Sequence, residues 1–85
     1  MRMSWEESVK NALRRMLIRH PDGLIKLAEL KRKELPRIIR ETHSIAVKPD
    51  CILERVCQEL RDAKMLDFID RGNYRITKKL VAKTA

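Results

Sequence analysis

The chain has 85 residues, room for one domain with a single thin core. Lys and Arg number 20 against 12 Asp and Glu, a formal charge of +8, and 44% of the residues are hydrophobic. That balance excludes an intrinsically disordered chain and, with no apolar run near ~18 residues, a membrane span; the charge points to a polyanionic partner.

A helix opens the chain. Ser4 and Glu7 fit a capping box, and Trp5, Val9, Ala12, Leu13, Met16 and Leu17 recur at helical spacing as its buried stripe. Lys10, Arg14, Arg15 and Arg19 fall off that stripe, toward water or a partner. His20-Pro21-Asp22-Gly23 ends the helix, because Pro cannot continue it and Gly tolerates a left-handed turn. Leu24-Ile25-Lys26 is long enough only for a short edge strand. Leu27, Leu30, Leu35, Ile38 and Ile39 again follow helical spacing, and Pro36 either kinks one helix or opens the first turn of a second. His43 to Pro49 reads as an irregular loop.

The next helix is predicted to be capped by Asp50, to bury Leu53, Val56, Cys57 and Leu60, and to end over Arg61-Asp62-Ala63-Lys64. Two strands follow, 66–69 and 74–77, around Asp70-Arg71-Gly72-Asn73, where Gly72 supplies a positive φ. Leu66, Phe68, Tyr74 and Ile76 share one face of this hairpin. The only aromatics, Trp5, Phe68 and Tyr74, are assigned to the core. Residues 78–85 read as a basic tail with three lysines and no acid. Helix, short strand, helical region, capped helix and hairpin, in that order, predict a mainly α winged helix-turn-helix with a small β-hairpin. It forms one domain over residues 1–85.

The candidate functional residues fall on two elements. Lys48, Cys51, Glu54, Arg55 and Gln58 face away from the buried stripe of the last long helix, and Arg and Gln can read guanine and adenine edges in the major groove. Arg71, Asn73, Arg75, Lys78, Lys79 and Lys83 lie on the hairpin and tail, placed to hold phosphates or enter the minor groove. Cys51 and Cys57 are six apart on one helix, a poor spacing for a disulfide, and lack the companions of a zinc site. Reduced thiols and the absence of a signal-peptide pattern suggest a cytoplasmic, nucleoid or nuclear protein. Asp22 followed by Glu29-Leu30-Lys31 mimics a metal-nuclease motif, but the latter three are in helical pattern and the chain is too short for the sheet such a site needs. His20 and His43 read as loop residues. No catalytic site, cofactor, metal, small-molecule substrate or membrane partner is expected.

Residues 43–77 also resemble a known family. Leu53-Glu54-Arg55-Val56-Cys57-Gln58-Glu59-Leu60-Arg61-Asp62, then Met65-Leu66-Asp67-Phe68 and Arg71-Gly72-Asn73-Tyr74-Arg75-Ile76, are similar to the C-terminal winged-helix domain of Dam-replacing proteins and DpnI-type restriction endonucleases. Lys64 stands where that family has Gly, and Glu54 where it has a base. The resemblance implies a reader of adenine-methylated GATC duplexes, with double-stranded DNA as partner. Two alternatives of other classes stay open: a protein-interaction winged helix and an RNA-binding one.

Overall fold

The computed structural model describes residues 3–82. It places α1 at Trp5–Arg19, β1 at Leu24–Lys26, α2 at Leu27–Lys33, α3 at Leu35–Thr42, α4 at Pro49–Asp62, β2 at Leu66–Asp70, β3 at Asn73–Ile76 and α5 at Lys78–Ala82. This is a mainly helical winged helix-turn-helix. The wing is not a lone hairpin: β1 pairs antiparallel with β3, giving a three-stranded sheet in the order β1-β3-β2.

Each helix end has a local cause. Ser4 Oγ accepts from the Glu7 amide at 3.2 Å, and Glu6 and Glu7 lie in the first turn, where the helix dipole favours acids. Pro36 occupies the first turn of α3, so it divides the second helical region and does not kink it. α4 begins two residues earlier than a cap at Asp50 predicts. Pro49 takes the first helical position, where its missing amide donor is harmless, so Lys48 becomes the N-cap and Asp50 lies inside the first turn.

One cluster fills the interior. α1 packs on α3 and α4 through Val9, Leu13 and Met16, and Ile38, Leu53, Val56 and Leu60 meet it from the other side. Ile25, Leu66 and Ile76 bring the sheet into the same core. Two α1 side chains expected to face water or a partner find partners within the chain. Lys10 is buried and pairs with Glu6 at 3.5 Å, its long stem lying along apolar surface. Arg15 reaches the buried Glu34 at 2.6 Å.

β2 and β3 pair Leu66 with Ile76 and Phe68 with Tyr74, then slip one residue between Phe68 and Asp70. The slip leaves Ile69 out of register and exposed. Gly72 has φ +82°, as the turn predicts, and a Cβ there would meet only open space. The glycine is needed for its backbone angle alone. Phe68 departs from the core assignment: on the edge strand it stays 50% exposed. Tyr74 and Trp5 do pack partly against the core.

The predicted tail is a structural element. Leu80 is fully buried, and the short helix carrying it lies near the C-terminus of α4. There the chain turns with Lys64 in the left-handed conformation, φ +65°. The Lys64 amide donates to Arg61 O and the Met65 amide to Leu60 O, each at 2.9 Å, which closes the helix in a Schellman motif. Lys79 Nζ then donates to Ala63 O, and Thr77 Oγ1 to Lys64 O, both at 2.8 Å. Lys83 lies outside the described residues.

Two stability measurements test these placements. Lys64→Gly is expected to stabilise the protein by about 1 kcal/mol, because only glycine holds that backbone angle without a Cβ penalty. An unchanged urea midpoint would mean Lys64 is not left-handed. Leu80→Ala is expected to cost roughly 2–4 kcal/mol in the same melts. A loss below about half a kcal/mol, the level of an ordinary surface change, would return α5 to the status of a tail.

Candidate nucleic-acid interface

Helical spacing puts Cys51, Arg55 and Gln58 on the side of α4 opposite Leu53, Val56, Cys57 and Leu60, and all three are exposed. Lys48, at the N-cap, is exposed as well. The Arg55 side chain is 81% exposed, with only a loose approach to Glu59 at 3.9 Å. Glu54 turns toward α2 and pairs with Lys31 at 3.5 Å.

The wing residues divide by environment. Arg71 at the hairpin tip, Arg75 in β3 and Lys78 at the start of α5 are exposed. Asn73 is half-buried, and its side-chain amide donates to the Asp70 carboxylate, bracing the turn. Lys79 caps the end of α4, so its ammonium has an internal acceptor.

What joins helix and wing is a cleft of about 390 Å³. Leu27, Ala28 and Lys31 line it from α2, Glu54 from α4, and Phe68, Arg71, Gly72 and Tyr74 from the wing. The Phe68 and Tyr74 rings meet edge to face, 6.1 Å apart and inclined 76°, and the Arg61 guanidinium stands 5.8 Å from the Phe68 ring centre. Burial pushes the Tyr74 hydroxyl above its ordinary pKa, so it remains a neutral donor. Lys31, Arg61 and Phe68 carry no binding signal in the sequence. Only the fold brings them to this cleft and its wall.

Charge is unevenly spread. Residues 49–70 hold the bases Arg55, Arg61 and Lys64 against six acids, whereas from Arg71 onward there are five bases and no acid. Three acids of α4 have cations at hand: Lys31 for Glu54, Arg55 for Glu59 and Arg61 for Asp62. Asp50 lies in the first turn, where the helix dipole tolerates it. Asp50, Cys51 and Glu54 bring two carboxylates and a thiol within 4.8 Å at the surface, a grouping that no motif spacing marks. Glu54 is already engaged there by Lys31.

The nuclease-like residues are held apart in other roles. Asp22 accepts the Leu24 amide at 3.1 Å and Lys31 pairs across to α4. Glu29 binds His20 at 3.0 Å, a hydrogen bond that draws its carboxyl below the ordinary range. His20 is therefore the partnered C-cap residue of α1, not a free loop residue. His43 ends α3 in the left-handed conformation. Glu41 is likewise lowered, chiefly by the Ser8 hydroxyl at 2.7 Å. No helix among the described residues is long and apolar enough to cross a membrane.

No family model matches this chain, and neither the curated proteins nor the solved structures compared with it give a match.

The cysteines offer a test of the α4 register. Both are free; Cys51 is exposed, and burial raises the Cys57 thiol to about 12. At neutral pH a thiol reagent is expected to modify one equivalent rapidly, at Cys51, and the second only on denaturation. Two fast equivalents would mean that α4 is rotated about its axis, with Cys57 turned to solvent.

Proposed function

We propose that this domain binds duplex DNA, inserting α4 in the major groove and using the wing and α2 as its hold on the phosphates. The observation that supports this reading best is the cleft that sets Arg71 of the wing beside Glu54 of α4 and Lys31 of α2. A groove-reading helix needs cations on both flanks to fix its register on the backbone, while its own face reads base edges. α2 supplies Lys31, Arg32 and Lys33 in its last turn, and the wing supplies Arg71, Arg75 and Lys78. On the helix, Arg55 offers a planar two-donor fork and Gln58, one turn on, an amide that matches adenine. The few bases of α4 fit a reader whose affinity comes from elsewhere.

The finer part of the proposal rests on the sequence resemblance: the preferred duplex carries N6-methyladenine in GATC, and the domain binds without catalysing. A second reading, a protein-interaction winged helix, draws on the six acids among residues 49–70. Salt dependence separates the two. Replacing Arg71, Arg75 or Lys78 by Ala is expected to weaken all duplexes alike and to lower the salt slope by ~1 for each phosphate left without its cation. Arg55→Ala or Gln58→Ala is expected to remove roughly 1–3 kcal/mol of preference for methylated over unmethylated GATC while sparing non-specific binding. Equal binding of the two duplexes by the wild type would discard the methyl preference. Failure to bind any duplex would leave the protein-interaction reading, and stronger binding of duplex RNA in competition would replace DNA with RNA.

A further inference from the structure

Among the described residues, the two most exposed large hydrophobic side chains sit together in the loop between α3 and α4. Ile45 is 98% exposed and Val47 93%. The loop is pinned at its base, not splayed by lack of bonding. The Ser44 amide donates to Ile39 O at 3.1 Å, Ser44 Oγ accepts from the Ala46 amide at 3.2 Å, and the Cys51 amide donates to Lys48 O at 3.2 Å. These bonds hold Ile45 and Val47, two apart in a non-helical segment, out in solvent.

The surroundings of this apolar tip are cationic. From Thr42 through Pro49 there is no acid, and Arg40 and Lys48 are exposed around the loop. Glu41, on the α3 side, is taken up by Ser8 and by Arg37 at 3.1 Å. Asp50 is the first carboxylate on the α4 side. An apolar tip with a cationic rim suits a polyanion that displays apolar groups between its phosphates. Duplex DNA does so in the major groove, where the C5-methyl of thymine is the apolar group presented.

We propose that Ile45 and Val47 are specificity-determining residues that enter the major groove just ahead of α4 and pack against thymine methyl groups, with Lys48 on a flanking phosphate. The inference rests on the DNA-binding reading. The N-terminal residues of a recognition helix are the ones that reach base edges, so the loop feeding them travels to the same depth. Ile45 also borders a groove of about 540 Å³ shared with Met3 and Trp5, which a protein partner would use instead.

The test compares wild type with Ile45→Ser/Val47→Ser on two short duplexes, alternating dA·dT and its dA·dU counterpart, which lacks the methyls. Wild type is expected to bind dA·dT about threefold to tenfold more tightly, the scale of one or two methyl groups enclosed. The variant is expected to bind both duplexes as wild type binds dA·dU, with an unchanged thermal midpoint, since neither side chain supports the core. Equal wild-type affinity for the two duplexes, or a preference kept by the variant, would overturn the methyl packing while leaving DNA binding intact. Binding of neither duplex would overturn the methyl packing, and failure on GATC duplexes as well would remove the DNA reading with it. A wild-type dimer in sedimentation that the variant abolishes would assign the tip to association between copies and overturn the proposal.

Discussion

The arrangement hangs on the carboxylate of Glu34. This residue is the whole connection between α2 and α3: its amide completes α2 at Leu30 O and its carbonyl starts α3 at the Ile38 amide, both at 2.9 Å. Its side chain is 4% exposed, and a carboxylate so placed requires a partner. Arg15 supplies it with two donors on one oxygen, Nη2 at 2.6 Å and Nε at 3.0 Å, while Arg19 stands 3.8 Å from the other oxygen. Removing Arg15 would leave the buried carboxylate with only the more distant Arg19, and stranding one member of a buried pair typically costs about 3–5 kcal/mol. The more important effect is geometric. With α1 tied to the α2–α3 corner, α3 has one position against α1, and α4, packed on both, is delivered with its polar face outward.

The surface that results separates cationic flanks from a charge-paired middle. The bases of α2 and of the segment from Arg71 onward flank a helix three of whose four acids have cations at hand. Such a helix carries no net positive charge, so the positive potential sits on the flanks. The aromatic pair on the wing belongs to this division. Phe68 and Tyr74 stiffen the strand pair beside α4, and Arg61 over Phe68 ties the end of α4 to the same wall.

Elements that are governed by local chemistry were legible in the sequence. The Ser4 cap, the Gly72 turn, the stripe of α4 and the order of elements all follow from spacing and backbone preference. What was not legible depends on partners distant in the chain. Arg15 and Lys10 look like surface cations until Glu34 and the core come to meet them. Residues 78–82 read as a tail because two lysines and one leucine carry no periodicity; burial of Leu80 shows only when the end of α4 is present to dock on. Phe68 failed in the other direction, since alternation marks a strand face but does not say whether anything will cover it. For the candidate site, the sequence picked out the face of α4 and the wing cations. It did not reveal that Lys31 lines the cleft beside the wing or that Arg61 stands over Phe68, nor that Lys79 and Asn73 have structural partners.

The order of strands has a kinetic consequence. β2 and β3 are joined by a tight turn and can pair early, as can α2 and α3, which pack on each other and adjoin in sequence. β1 has no such neighbour. Its partner is β3, with Leu24 opposite Arg75 and Ile25 opposite Tyr74, so its pairing must wait for the chain to close a loop that spans α2, α3, α4 and β2. The assembly of β1 therefore comes late in folding. A chain stalled before that step would hold a formed hairpin with β3 as an open edge, the state most prone to pairing with another molecule.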